Sequence, residues 1–140
     1  IAAFYERWKA DPLVLDKWFS IQATSVRSDT LERVQALAGH ADFTLTNPNR
    51  VRSLIGAFCS GNQVRFHGAD GGGYVFLADH VLALNESNPQ VASRMASIFN
   101  DWRRYEDGRQ EKIRVELNRI ASSDSLSKDV YEIVSRALSR

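Results

Sequence analysis

Three histidines, one cysteine and a surplus of arginine are the side chains of this 140-residue sequence from which a reaction centre could be assembled. A catalytic zinc site takes about three ligands, often two histidines at i and i+4 on one helix with a glutamate beside them. Here the histidines are His40, His67 and His80; none is followed by Glu and no two stand four apart. Asp79-His80 is the nearest approach to a ligand pair, and a surface or half-buried histidine is the plainer reading. Cys59 has no second cysteine to pair with. After Ala57-Phe58 it reads as a buried structural thiol, because a nucleophile would need a positioning histidine. Asp70-Gly71-Gly72-Gly73-Tyr74 is like a phosphate cradle only on the surface. A P-loop puts Lys and Ser/Thr after its last glycine, and Tyr74-Val75-Phe76 follow instead. These glycines are expected to permit a tight turn and close packing. The expectation is therefore no catalytic residue, no metal ligand and no cofactor within this chain.

Arginine supplies 14 of the 18 basic residues. Arg103, Arg104, Arg109, Lys112, Arg114 and Arg119 form a run interleaved with Asp101, Glu106, Asp107, Glu111 and Glu116, which reads as a solvated face with i,i+4 pairs. The net charge of +1 supplies no field that would steer the chain to nucleic acid, and none is expected as a partner. Two arginines stand apart. At about 100° per residue, Arg52 lies about 60° from Ile55, and Arg94 about 60° from Val91 and about 20° from Tyr105, each at the border of an apolar stripe. A guanidinium there can snorkel to solvent. It can also line a wet cavity and hold a carboxylate or a backbone carbonyl through its fork of donors.

The elements that must position these groups are helices. All three prolines follow Asp or Asn, in Asp11-Pro12, Asn47-Pro48 and Asn88-Pro89. The polar side chain accepts from the free amides of a first turn, and proline loses nothing there, so each pair marks a helix start. Asp29 with Glu32 has the form of a capping box, and Ser127 is a weaker cap. Apolar residues recur every three or four positions: Val51, Leu54, Ile55 and Phe58; Tyr74, Leu77, Val81 and Leu84; Val91, Met95, Ile98, Trp102 and Tyr105; Ile113, Leu117 and Ile120; Val130, Ile133, Val134 and Leu138. About eight helices are expected, over 1–9, 12–26, 30–39, 48–59, 74–85, 89–105, 108–121 and 128–138. Short connections predict antiparallel hairpins in a single all-α domain, 1–140, compatible with helical-repeat (HEAT/armadillo-like) superhelical packing. The exception is the glycine-rich stretch from Ser60 to Gly73, the one long loop. No apolar run approaches the roughly 18 residues of a membrane span and the start carries no secretory signal, so no membrane partner is expected; a free thiol with no disulfide pair fits a reducing compartment, so a cytoplasmic location is expected. The first residue is Ile1 rather than Met, which suggests a piece of something longer.

Four segments carry a resemblance: Asp11 to Phe19; Phe43 to Phe58, with Asn47-Pro-Asn-Arg-Val-Arg52 inside it; Phe66-His67 with Asp70 to Leu77; and Asn88-Pro-Gln-Val-Ala-Ser-Arg94. With Arg104-Tyr105 and Arg109 to Lys112, they resemble the C-terminal helical domain of the bacterial aminopeptidase N family, zinc alanyl aminopeptidases of the gluzincin class. The likeness runs from about Phe4 to Leu138. It implies a noncatalytic domain that covers the active site of a larger enzyme and controls access. Zinc and the catalytic H-E-x-x-H helix would lie in the catalytic domain of the same chain. The partners it implies are that domain and peptide substrates. By the same resemblance Arg52, Arg94 and Gln90 match positions facing the cavity near bound peptide, which favours the cavity over snorkelling for the two arginines. The competing reading is a free-standing helical-repeat protein-interaction module.

Overall fold

Each Asp–Pro or Asn–Pro pair does start a helix. The Asp11 carboxylate accepts from the amides of Leu13 and Val14, Asn47 Oδ1 from Arg50, and Asn88 Oδ1 from Val91. The structure, a computed structural model, describes residues 11–25, 27–40, 43–44, 46–68 and 70–139. The helix expected over 1–9 lies outside them. Among the described residues all regular structure is helical. The chain divides into two compact units, Ile1–Phe66 and His67–Arg140.

In the first unit α1 (Pro12–Ala23) packs on α2 (Thr30–Ala38) and on a third helix made of three pieces. These are α3 (Pro48–Val51), a π-helical turn (Arg52–Gly56) and α4 (Ala57–Gly61). Leu15, Phe19, Val34, Val51, Leu54, Ile55 and Phe58 form the core, and burying such a side chain contributes about 1.5–3 kcal/mol. His40 stacks edge-on against Trp18 and Phe19, as a structural histidine does. The Asp29 box does not form. Its carboxylate is drawn to Arg27 and Arg33 instead, at 3.1 and 3.3 Å, so no side chain caps α2. The helix expected over 12–26 ends at Ala23, because the Asn62 amide takes the carbonyls of Ala23 and Ser25 at 3.0 and 2.7 Å and turns the chain away. Asn62 also caps α5 (Gln63–Phe66), a helical turn inside the stretch expected as loop.

In the second unit α6 (Gly72–Ser87) packs on α7 (Pro89–Ala96) and α8 (Asp107–Ala121), and α9 (Lys128–Ser139) packs on both of those. Tyr74, Leu77, Val81, Leu84, Ile113, Leu117, Ile120, Val130 and Val134 fill the interior. The helix expected over 89–105 is broken. After Ala96 the chain tightens into two 3₁₀ turns, Ser97–Phe99 and Trp102–Arg104. The period of three puts Phe99 and Trp102 on one buried face, and the Trp102 indole donates to Ala137 O at 3.0 Å. The Ser127 hydroxyl caps α9, and Asn85, itself buried, pins the approach through Ser125 O and Ser127 N.

Candidate functional site

Two arginines two positions apart have opposite fates. Arg50 is buried, with Nε 2.7 Å from Asp16 Oδ1 and its guanidinium over the Phe19 ring. Arg52 is exposed and holds only Asn49 Oδ1 among the described residues, so most of its donor fork faces solvent. In the Asn47 to Arg52 segment the first arginine is thus structural and the second keeps most of its donors toward solvent. Arg52 is also the first residue of the π-helical turn, a distortion often found at functional sites.

Gln90 and Arg94 sit on α7 in the other unit. They are four residues apart, so they share one face, and both are exposed. Neither side chain has a hydrogen-bond or charged partner among the described residues. An amide and a guanidinium one turn apart can together bind a carboxylate or successive peptide carbonyls. The fold brings these two together and places Arg52 in the first unit.

The remaining chemistry-bearing groups have structural work. Cys59 is buried, and burial pushes its thiol well above the ordinary range, away from the thiolate a nucleophile needs. His80 Nδ1 lies 2.8 Å from Phe76 O, one helical turn back. Among the described residues there is no group of three His, Cys, Asp or Glu that could hold a metal ion. The basic run pairs at i,i+3 rather than the expected i,i+4: Arg109 with Glu106, Arg114 with Glu111 and Arg119 with Glu116, each at 2.7 Å. Arg119 also reaches Asp79 at 2.8 Å, tying α8 to α6. Gly71 has φ of 78°, and a Cβ there would stand 2.8 Å from Lys112 Cδ. Gly71 therefore serves a tight turn and close packing, as the sequence suggested. Beside them runs a shallow groove lined by Asp70, Gly71, Val75, Lys112, Val115 and Glu116, which includes none of the three residues assigned from sequence.

One cluster escaped the sequence reading. The Tyr74 hydroxyl, on a fully buried ring, lies 2.7 Å from His67 Nδ1. Arg109 Nε donates to the His67 carbonyl at 2.8 Å, and the Tyr105 ring stacks on the imidazole at 4.4 Å. Burial, and then the Arg109 charge, hold the His67 pKa below 6.5. Burial is also the main reason that the Tyr74 phenol is pushed up to about 12. No spacing rule joins residues 67, 74 and 109; only the aromatic and basic types around the glycines hinted at it.

The chain matches the family described as "Domain of unknown function (DUF3458_C) ARM repeats" over residues 1–139. It is 47% identical over 133 residues to aminopeptidase N of Escherichia coli and 44% identical over 138 residues to aminopeptidase N of Caulobacter vibrioides, covering 95% and 99% of this chain. It spans only 15% and 16% of the length of those relatives. Among solved structures it is similar to Legionella pneumophila aminopeptidase A in complex with aspartic acid. The TM-score is 0.93 at 37% identity, over 99% of this chain and 16% of that one.

Proposed function

Since this chain belongs to the DUF3458_C family of ARM repeats and to the C-terminal domain of aminopeptidase N, we propose that it serves a zinc-dependent aminopeptidase that removes N-terminal residues from peptides. In this reading residues 1–140 act together as part of a noncatalytic domain that covers the active site and controls which substrates enter. Zinc and the catalytic residues belong to the rest of the enzyme in this reading, which the short share of each relative that is matched supports. Zinc would supply the activated water. Arg52, Arg94 and Gln90 bind peptide carbonyls or the C-terminal carboxylate by charge-assisted and amide hydrogen bonds.

The observation that carries this reading is the exposure of Arg52, Gln90 and Arg94, with donors left over, on a scaffold whose other prominent arginines are tied down. A hydrogen bond to a charged group is worth about 1.5–3 kcal/mol, so loss of one guanidinium should raise a peptide KM about tenfold or more. The test is Arg52→Ala and Arg94→Ala in the complete enzyme, read with a tripeptide and with an alanyl anilide. Each substitution is expected to raise the peptide KM more than the anilide KM. Equal effects on both substrates, or none, would remove the cavity role. The isolated chain should neither cleave alanyl anilide nor retain stoichiometric zinc; zinc-dependent cleavage by it would overturn the noncatalytic assignment.

A further inference from the structure

The wide turn under Arg52 is held by a side chain from another helix. In an α-helix the Ala57 N–H would bond the carbonyl four residues back, that of Ser53. Here it reaches Arg52 O and Leu54 O and passes over Ser53 O. The bypassed carbonyl is met from outside: Ser20 Oγ on α1 donates to it at 2.9 Å. Two further bonds converge on the same turn. Ser53 Oγ donates to Asn49 O at 2.8 Å, and the Arg52 guanidinium donates to Asn49 Oδ1.

The turn decides which arginine faces out. On a regular helix, Arg50 and Arg52 would stand on opposite borders of the stripe made by Val51, Leu54, Ile55 and Phe58, each about 100° from its middle. Neither would then be favoured for burial. A π turn takes up about one extra residue, which rotates the preceding segment by about 100° relative to the helix that follows. That rotation carries Arg50 into the stripe of Leu54, Ile55 and Phe58 and Arg52 to the far side, while Val51, moved toward the edge, stays buried. The burial agrees, with Arg50 only 6% exposed against Asp16 and Arg52 open to solvent.

We propose that Ser20 is a positioning residue for substrate binding: its hydroxyl holds the π turn open and so directs Arg52 outward. This rests on the reading of Arg52 as a peptide ligand. Without the hydroxyl, the turn loses the donor that offsets its bypassed carbonyl, and rewinding toward α geometry would swing Arg52 back to the border.

The experiment uses the complete aminopeptidase with Ser20→Ala, Ser20→Thr, Arg52→Ala and the Ser20→Ala/Arg52→Ala pair. Steady-state kinetics are measured on a tripeptide and an alanyl anilide, with amide hydrogen exchange across residues 52–57. Loss of one hydrogen bond corresponds to about a 3- to 10-fold rise in the peptide KM for Ser20→Ala, with kcat changing less. Ser20→Thr, which keeps the hydroxyl, should restore the value. In the Arg52→Ala background the Ser20 change should add less than about twofold, because its effect passes through Arg52. Exchange in the turn should quicken in Ser20→Ala and not in Arg52→Ala. A wild-type peptide KM in Ser20→Ala beside an impaired Arg52→Ala overturns the inference alone, as does a Ser20 effect of equal size in both backgrounds. If Arg52→Ala itself leaves peptide and anilide equally affected, the ligand reading of Arg52 falls. Exchange at the turn then decides whether Ser20 holds it.

Discussion

The two ionisable groups with most at stake are Arg50 and His67, and neither is assigned to substrate. Arg50 and Asp16 form a largely buried pair, with side chains 8% and 18% exposed. Such a pair adds little over well-packed apolar residues, but breaking it leaves a buried charge without its carboxylate. Asp16→Ala should therefore destabilise by about 3 kcal/mol, seen as a lowered midpoint in chemical denaturation. Asp16→Glu should cost less. His67 sets a pH dependence. Its native pKa is depressed, so the fold favours the neutral ring, whose Nδ1 shares a hydrogen bond with the Tyr74 hydroxyl. The stability this contributes is complete above the ordinary value of 6.5 and is lost as pH falls through the lowered native value. Tyr74 has the opposite sign: its raised pKa contributes stability below pH 10, lost as pH rises toward about 12. Thermal midpoints from pH 7 downward should fall in the wild type and fall less in His67→Gln; parallel curves would show that another group governs the acid limb.

At the scale of elements, the glycine turn before α6 offers the sharpest test. Gly71 is left-handed, with φ of 78°, a conformation that costs an L-residue roughly 1–2 kcal/mol. A Cβ would in addition press on Lys112 Cδ at 2.8 Å, a contact that a flexible side chain can relieve. Gly71→Ala should lower stability by about 1–2 kcal/mol, and adding Lys112→Ala should recover only the steric part. Full recovery would mean that the backbone conformation is not the obstacle. The same contrast between local and distant causes explains what was legible. Helix starts at Asp11, Asn47, Asn88 and Ser127 were readable because a cap bonds within three residues of itself. The Asp29 box was not, because two arginines compete for its carboxylate. Nor was the break after Ala96, since it serves a bond between residues 35 apart, Trp102 to Ala137. The π turn also has a remote partner, Ser20, which lies 33 residues from Ser53. Of the candidate site, periodicity singled out Arg52 and Arg94 as border residues, and the resemblance added Gln90 and the cavity role. Which arginine of the Asn47 to Arg52 segment faces out depends on that turn, and periodicity alone put both at a border.

For the whole molecule, charge is informative by its placement rather than its sum. The chain carries a net +1, and no helix among the described residues is long and apolar enough to cross a membrane. Exposed charges act over about 8 Å at physiological salt, and their hydrogen-bonded partners feel added salt directly. If either Arg52 or Arg94 grips the C-terminal carboxylate of a peptide, the peptide KM of the complete enzyme should rise as salt increases from about 0.05 to 0.5 M. An amidated peptide, lacking that carboxylate, should show a weaker rise. The Arg52→Ala/Arg94→Ala pair should bring the two salt slopes together, since the charges that distinguish the peptides are then gone. Comparing slopes between variants cancels whatever field the remainder of the enzyme contributes, because that remainder is common to both. Slopes that stay apart in the double variant would place the carboxylate contact on other residues. Slopes that never differ in the wild type would mean that these arginines meet backbone carbonyls, where the interaction is charge to dipole and screening is weak.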